Sequence, residues 1–72
     1  MKFNYYQETD SLYIDLSEKK SVDSKEVAHG VVVDFDDAGA IVGIDIDNAS
    51  KIVDLRRIES DSLPIKSLAI NP

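Results

Sequence analysis

The chain is 72 residues long, 43% hydrophobic and 31% charged, with 14 acids against 8 bases for a formal net charge of -6. That length fits a single domain over residues 1–72, so no active site enclosed between two domains is expected in the monomer. Cysteine is absent, no run approaches a membrane span, no basic leader precedes an apolar core, and the acidic balance argues against nucleic acid, so a cytoplasmic protein free of disulfides and thiolate metal sites is expected.

Residues 2–6 (KFNYY) are aromatic-rich strand material. After a polar stretch over 7–11, Leu12, Ile14 and Leu16 alternate with Tyr13, Asp15 and Ser17, which predicts a β-hairpin with one buried face. Residues 18–24 (EKKSVDS) read as a charged connection. A second strand pair follows, with arms at 27–35 and 40–47 and a turn at Asp36, Asp37, Ala38 and Gly39. Asp suits early turn positions, and Gly39 can take the positive φ such a loop requires. Asn48 and Ser50 are N-cap candidates ahead of Ile52, Leu55 and Ile58, whose spacing predicts one amphipathic helix over 50–59 with Arg56 and Arg57 near its end. Leu63, Ile65, Leu68 and Ile70 make the tail too apolar to be left free, which points to an added edge strand or a homodimer contact.

Placing Phe35 opposite Ala40 sets Val33 against Val42, Val31 against Ile44 and His29 against Ile46, with the strong apolars on one face. A slip of one residue would bring Asp34 onto that face, so burial selects against it. The opposite face then carries Ala28, Gly30, Val32 and Asp34 on one arm and Ile41, Gly43, Asp45 and Asp47 on the other. Tyr13 and Asp15 join it if the second strand pairs beside the third, the 27–35 arm. Glycine is unfavourable inside a strand and often marks close approach of another group, so Gly30 and Gly43 fit a surface that a partner approaches. An acidic surface of this kind attracts and steers a basic protein.

Other chemistry is less well served. The stretch from Asp34 to Gly39 resembles the opening of a calcium loop, with Asp45 near the closing position, and hard cations do want several carboxylates around a tight turn. Against it, Ala38 replaces a ligand, the closing acid is Asp rather than Glu, and strands flank the loop, so a solvated turn is the better reading and no metal or cofactor is expected. His29 is the single histidine and no motif places a nucleophile beside it. Acid–base work needs two carboxylates in different environments within a cleft, which an open sheet of this size does not offer, so no catalytic residue and no enzyme is expected. Arg56, Arg57, Lys19 and Lys20 are too few for a phosphate track.

Two stretches, 5–14 (YYQETDSLYI) and 30–50 (GVVVDFDDAGAIVGIDIDNAS), carry a recognisable combination: Glu8, Asp10, Leu12, Tyr13 and Ile14, then Asp34, Gly39, Val42, Gly43, Ile44, Ala49 and Ser50. In this the chain resembles the bacterial domain of unknown function 2283 family over most of residues 3–51. It departs at Tyr6, where that family commonly has Asp, and at Asp45, where Glu is common. The resemblance implies no activity; it implies a protein-binding module, of the antitoxin kind or another.

The expected fold is α+β: a four-stranded antiparallel meander with one helix on its apolar face. The expected site is the acidic outer face, with Tyr13, Asp15, Gly30, Asp34, Gly43 and Asp45 meeting a basic protein partner. A homodimer held by the tail and a divalent-ion hairpin are the alternatives.

Overall fold

The computed structural model describes residues 1–65. Five strands, β1 (Lys2–Tyr6), β2 (Ser11–Asp15), β3 (Asp23–Ala28), β4 (Val31–Phe35) and β5 (Ile41–Ile46), precede one helical turn, α1 (Ala49–Ile52). They form a single antiparallel sheet in the order β1-β2-β5-β4-β3. The α+β class and the antiparallel sheet are as expected, with five strands among the described residues rather than four. The extra strand is β3, whose residues fall partly in the expected charged connection and partly in the arm that began at Val27. Every residue of β3 is exposed, so it lacks the alternation that marks a half-buried strand. The order also breaks from sequence order where β2 lies beside β5. The three strands with the strongest apolar alternation, β2, β5 and β4, occupy the middle, and the charged β3 takes an edge.

The two faces of the sheet fall as alternation requires. One carries the rows Tyr5–Leu12–Ile46–Val31 and Phe3–Ile14–Ile44–Val33. Leu12, Ile46 and Ala49 are buried at its centre, with Ile14, Val31, Ile44, Val53 and Leu55 packed around them. The β4–β5 register differs by two residues from the expected one: Val33 faces Ile44 and Val31 faces Ile46. A shift of two keeps every side chain on its own face. The register changes between Asp34 and Phe35, where Phe35 pairs with Ile41 and Val42 is the additional, deeply buried residue at 3% exposure.

The turn after β4 forms at the expected residues, but its acids are not all solvated as expected. Gly39 has φ 82° and its N–H donates to the Asp36 carbonyl at 3.1 Å, while Asp36 N–H donates to Ala40 C=O at 2.9 Å. Asp36 is itself buried, at 5% exposure, and its Oδ1 accepts the N–H groups of Ala38 and Ala40, each at 2.9 Å.

The helix is one turn, not the expected ten residues over 50–59. Val53 is already extended, at φ -126° and ψ 157°, and its N–H closes the turn on Ala49 C=O at 2.9 Å. Two β-branched residues, Ile52 and Val53, are followed by Asp54, whose Oδ1 accepts Arg56 N–H at 3.0 Å and so offers the backbone a local alternative to helix. Isolated helices this short are marginal without tertiary support. Val53 and Leu55 still reach the core from an extended path, so the apolar spacing serves packing without a helix. Together with Phe3, Tyr5, Leu12, Ile14, Ile46 and Ile58 they line a groove of about 400 Å³ on this face. Leu63 and Ile65 are about half exposed, at 45% and 52%; the remainder of the expected tail contact, Leu68 and Ile70, lies outside the described residues.

Candidate functional site

The outer face of the sheet consists of two cross-strand rows. Asn4, Tyr13, Asp45, Val32 and Glu26 make one, and Lys2, Asp15, Gly43, Asp34 and Ser24 make the other. Five of the six residues expected at the site, Tyr13, Asp15, Asp34, Gly43 and Asp45, are thus brought together. The sixth, Gly30, is not. It lies with His29 in the turn joining β3 to β4, at φ 77°, and its carbonyl accepts Asp47 N–H at 2.8 Å. A residue that must adopt a left-handed conformation explains glycine there without any approaching partner. The same turn removes His29 from the end of the apolar face and leaves it exposed.

Tyr13 organises the centre of this surface. Its ring lies over Gly43, where a Cβ would collide with the phenol oxygen and the ring. The space opened by that glycine is filled by the chain's own tyrosine, which replaces the expected role of Gly43 in admitting a partner. The Tyr13 hydroxyl donates to Asp34 Oδ2 at 3.0 Å, and Ser24 Oγ donates to Asp34 Oδ1 at 2.6 Å. Burial, then the bond to Asp34 and the charges of Asp34, Asp15 and Asp45 push the Tyr13 phenol above its ordinary value. Asp45 is raised as well, first by burial and then by the neighbouring charges of Asp47 and Asp34. Among the described residues the ion pairs are Arg56–Asp54 at 3.4 Å and Arg57–Glu59 at 2.8 Å, both remote in sequence from this face. The outer acids therefore make no ion pair with any described cation.

A second polar node ties the β1–β2 loop to α1. Asp10, at φ 52°, accepts Ser50 N–H (3.1 Å) and Ser50 Oγ–H (2.7 Å) on its carboxylate, and the Tyr5 hydroxyl at 2.7 Å. Its backbone carbonyl accepts Ala49 N–H at 2.9 Å. Asn48 occupies the N-cap position in the left-handed region but makes no side-chain cap bond, so Asp10 satisfies the first helical N–H groups from 40 positions away. The bonds from Ser50 and then Tyr5 hold the Asp10 carboxyl below the ordinary carboxylate value. Sequence reading misses this tie, and Ser24 with it, because nothing local pairs residues so far apart.

Among the described residues no three His, Cys, Asp or Glu side chains are grouped to hold a metal ion. Asp36 of the calcium-like stretch instead turns a carboxylate oxygen onto its own backbone. No helix among the described residues is long and apolar enough to cross a membrane.

Six of the twelve residues that carry the family resemblance meet in space at these two nodes: Asp10 with Ala49 and Ser50, and Tyr13 with Gly43 and Asp34. The chain belongs to the family described as "Protein of unknown function (DUF2283)", whose family model matches residues 2–50. That span runs from β1 to the start of α1 and includes both nodes. No curated protein and no solved structure matches the chain.

Proposed function

We propose that this chain is a protein-binding module, not a catalyst, and that it takes a basic protein partner on the outer face of its sheet. Tyr13, Asp15, Asp34 and Asp45 are the contact residues, and neutralising a basic protein, as an antitoxin does, is the specific form of this reading. One observation carries it: acids from three adjacent strands gather around a half-buried tyrosine with no ion pair to a described cation, and Asp45 is raised partly by its acidic neighbours. A cationic partner relieves that repulsion, and a phosphate backbone would add to it. Tyrosine suits the centre of such a contact because it offers a large rigid surface with a polar tip.

Asp34 is bound by both Tyr13 and Ser24, so its reversal would disturb the sheet as well as the surface. The test therefore reverses Asp15 and Asp45 together, as Asp15→Lys/Asp45→Lys, with chemical-shift dispersion as a check on folding. Tagged protein in lysate of its native source should capture a basic protein whose recovery falls at least tenfold with the double variant. Equal recovery by a folded double variant overturns the proposal.

A further inference from the structure

The two edges of the sheet are built differently. On β3 the register shifts around Val27, and Asp23, Lys25 and Glu26 place both charge signs along the edge, two devices that discourage strand addition. On β1 the register with β2 is unbroken over all five residues, with no proline and no acid. Leu16 N–H donates to Val42 C=O at 2.9 Å, so the even-numbered residues of β2 turn their backbone groups to β5 and the odd-numbered ones turn theirs to β1. Their partners Lys2, Asn4 and Tyr6 face β2, and the N–H and C=O groups of Phe3 and Tyr5 point away from the sheet. Both side chains are about half exposed, at 48% and 46%.

We propose that this edge pairs antiparallel with the same edge of a second copy of the chain, with Asn4 on the two-fold axis. That register sets Phe3 opposite Tyr5 of the partner subunit, twice, as hydrogen-bonded pairs that exchange all the outward backbone groups of both residues. It also sets the aromatic rings side by side on the apolar face, where the groove reaches β1 through the same two residues. On the other face it sets Lys2 opposite Tyr6 of the partner subunit. Lys2 is the only charged side chain of β1, so this edge lets two chains of net charge -6 meet without opposing acids. Self-complementarity of side chains and charge favours a second copy over a foreign strand, and the result is a ten-stranded sheet presenting two acidic centres on one surface.

The test combines sedimentation equilibrium with amide hydrogen exchange on the full chain. At high concentration the mass should be twice that of one chain, and the amides of Phe3 and Tyr5 should be protected, losing that protection on dilution. Proline fits an edge position whose N–H points outward, so Phe3→Pro should halve the mass while β2, β4 and β5 amides stay protected. A monomer at every concentration, a dimer in which Phe3 and Tyr5 amides exchange freely, or a dimer lost only on truncation after Asp61 overturns the proposal. The wild-type exchange reading decides the matter even if Phe3→Pro does not fold.

Discussion

Two regions of the molecule hold carboxylates and put them to opposite uses. In the loops, Asp10 and Asp36 turn theirs onto N–H and O–H donors of their own chain. On the outer face, Asp45 sits beside other acids, partly buried. The contrast shows in opposite shifts, Asp10 down and Asp45 up. A net charge of -6 therefore does not describe one property. Part of the acidity holds the fold together, and part leaves Asp45 raised, first by burial and then by neighbouring charge, with no ion pair to a described cation.

The sharpest way to break this division is Asp36→Ala. It strips the acceptor from two N–H groups at a buried position and should cost about 2 kcal/mol in urea unfolding. A loss no larger than that of an ordinary surface substitution would remove Asp36 from the structural set.

Next comes the fit between Tyr13 and Gly43. Gly43→Ala must push the Tyr13 ring aside, which breaks the Asp34 bond and should cost roughly 1–2 kcal/mol. Tyr13→Phe alone should cost about 1 kcal/mol. Because both remove the same hydrogen bond, the double variant should be less destabilised than the sum, and strict additivity in the cycle would deny the coupling.

The smallest effect is a pair of opposite pH dependences. Asp10 has a lowered folded pKa, so its stabilisation is present above the unfolded carboxyl value and is lost as pH falls through the folded one. Asp45 has a raised folded pKa, so its favourable contribution is complete below the unfolded value and is lost as pH rises through the folded one. At neutral pH Asp10→Asn should lower Tm and Asp45→Asn should raise stability by roughly 0.5 kcal/mol, discounted for solvent screening. Both differences should close in acid. Shifts of the same sign at neutral pH would erase the distinction between the two regions.

Much of the sheet was legible because burial has a parity. Leu12 and Ile14 on β2, and Val31, Val33, Ile44 and Ile46 on β4 and β5, alternate cleanly, and their faces follow from that alone. The exact pairing was not legible, since the irregularity that leaves Val42 without a partner on β4 between Asp34 and Phe35 writes no mark in the hydropathy pattern. β3 was hidden because Asp23–Ala28 buries nothing. The helix was overdrawn because the spacing of Ile52, Leu55 and Ile58 fits one, whereas Val53 and Asp54 stop it. Of the site, the gathering of acids followed from the faces. Its centre did not: the ring of Tyr13 over Gly43, and the reach of Asp10 to Ser50, depend on β2 lying beside β5.

That seam carries a consequence for how the chain finds its pairing. Hydropathy rejects a slip of one residue between strands but is blind to a slip of two, which leaves every apolar side chain on its own face. A collapsing chain thus meets nearly degenerate alternatives, and something other than burial must discriminate among them. Tyr13 can lie flat only over the one glycine of β5, and it reaches Asp34 only when that residue is paired with Gly43. Asp10 meets Ser50 only when Leu12 stands beside Ile46. The two polar nodes act as keys to alignment, proofreading an assembly that oily residues alone would leave ambiguous.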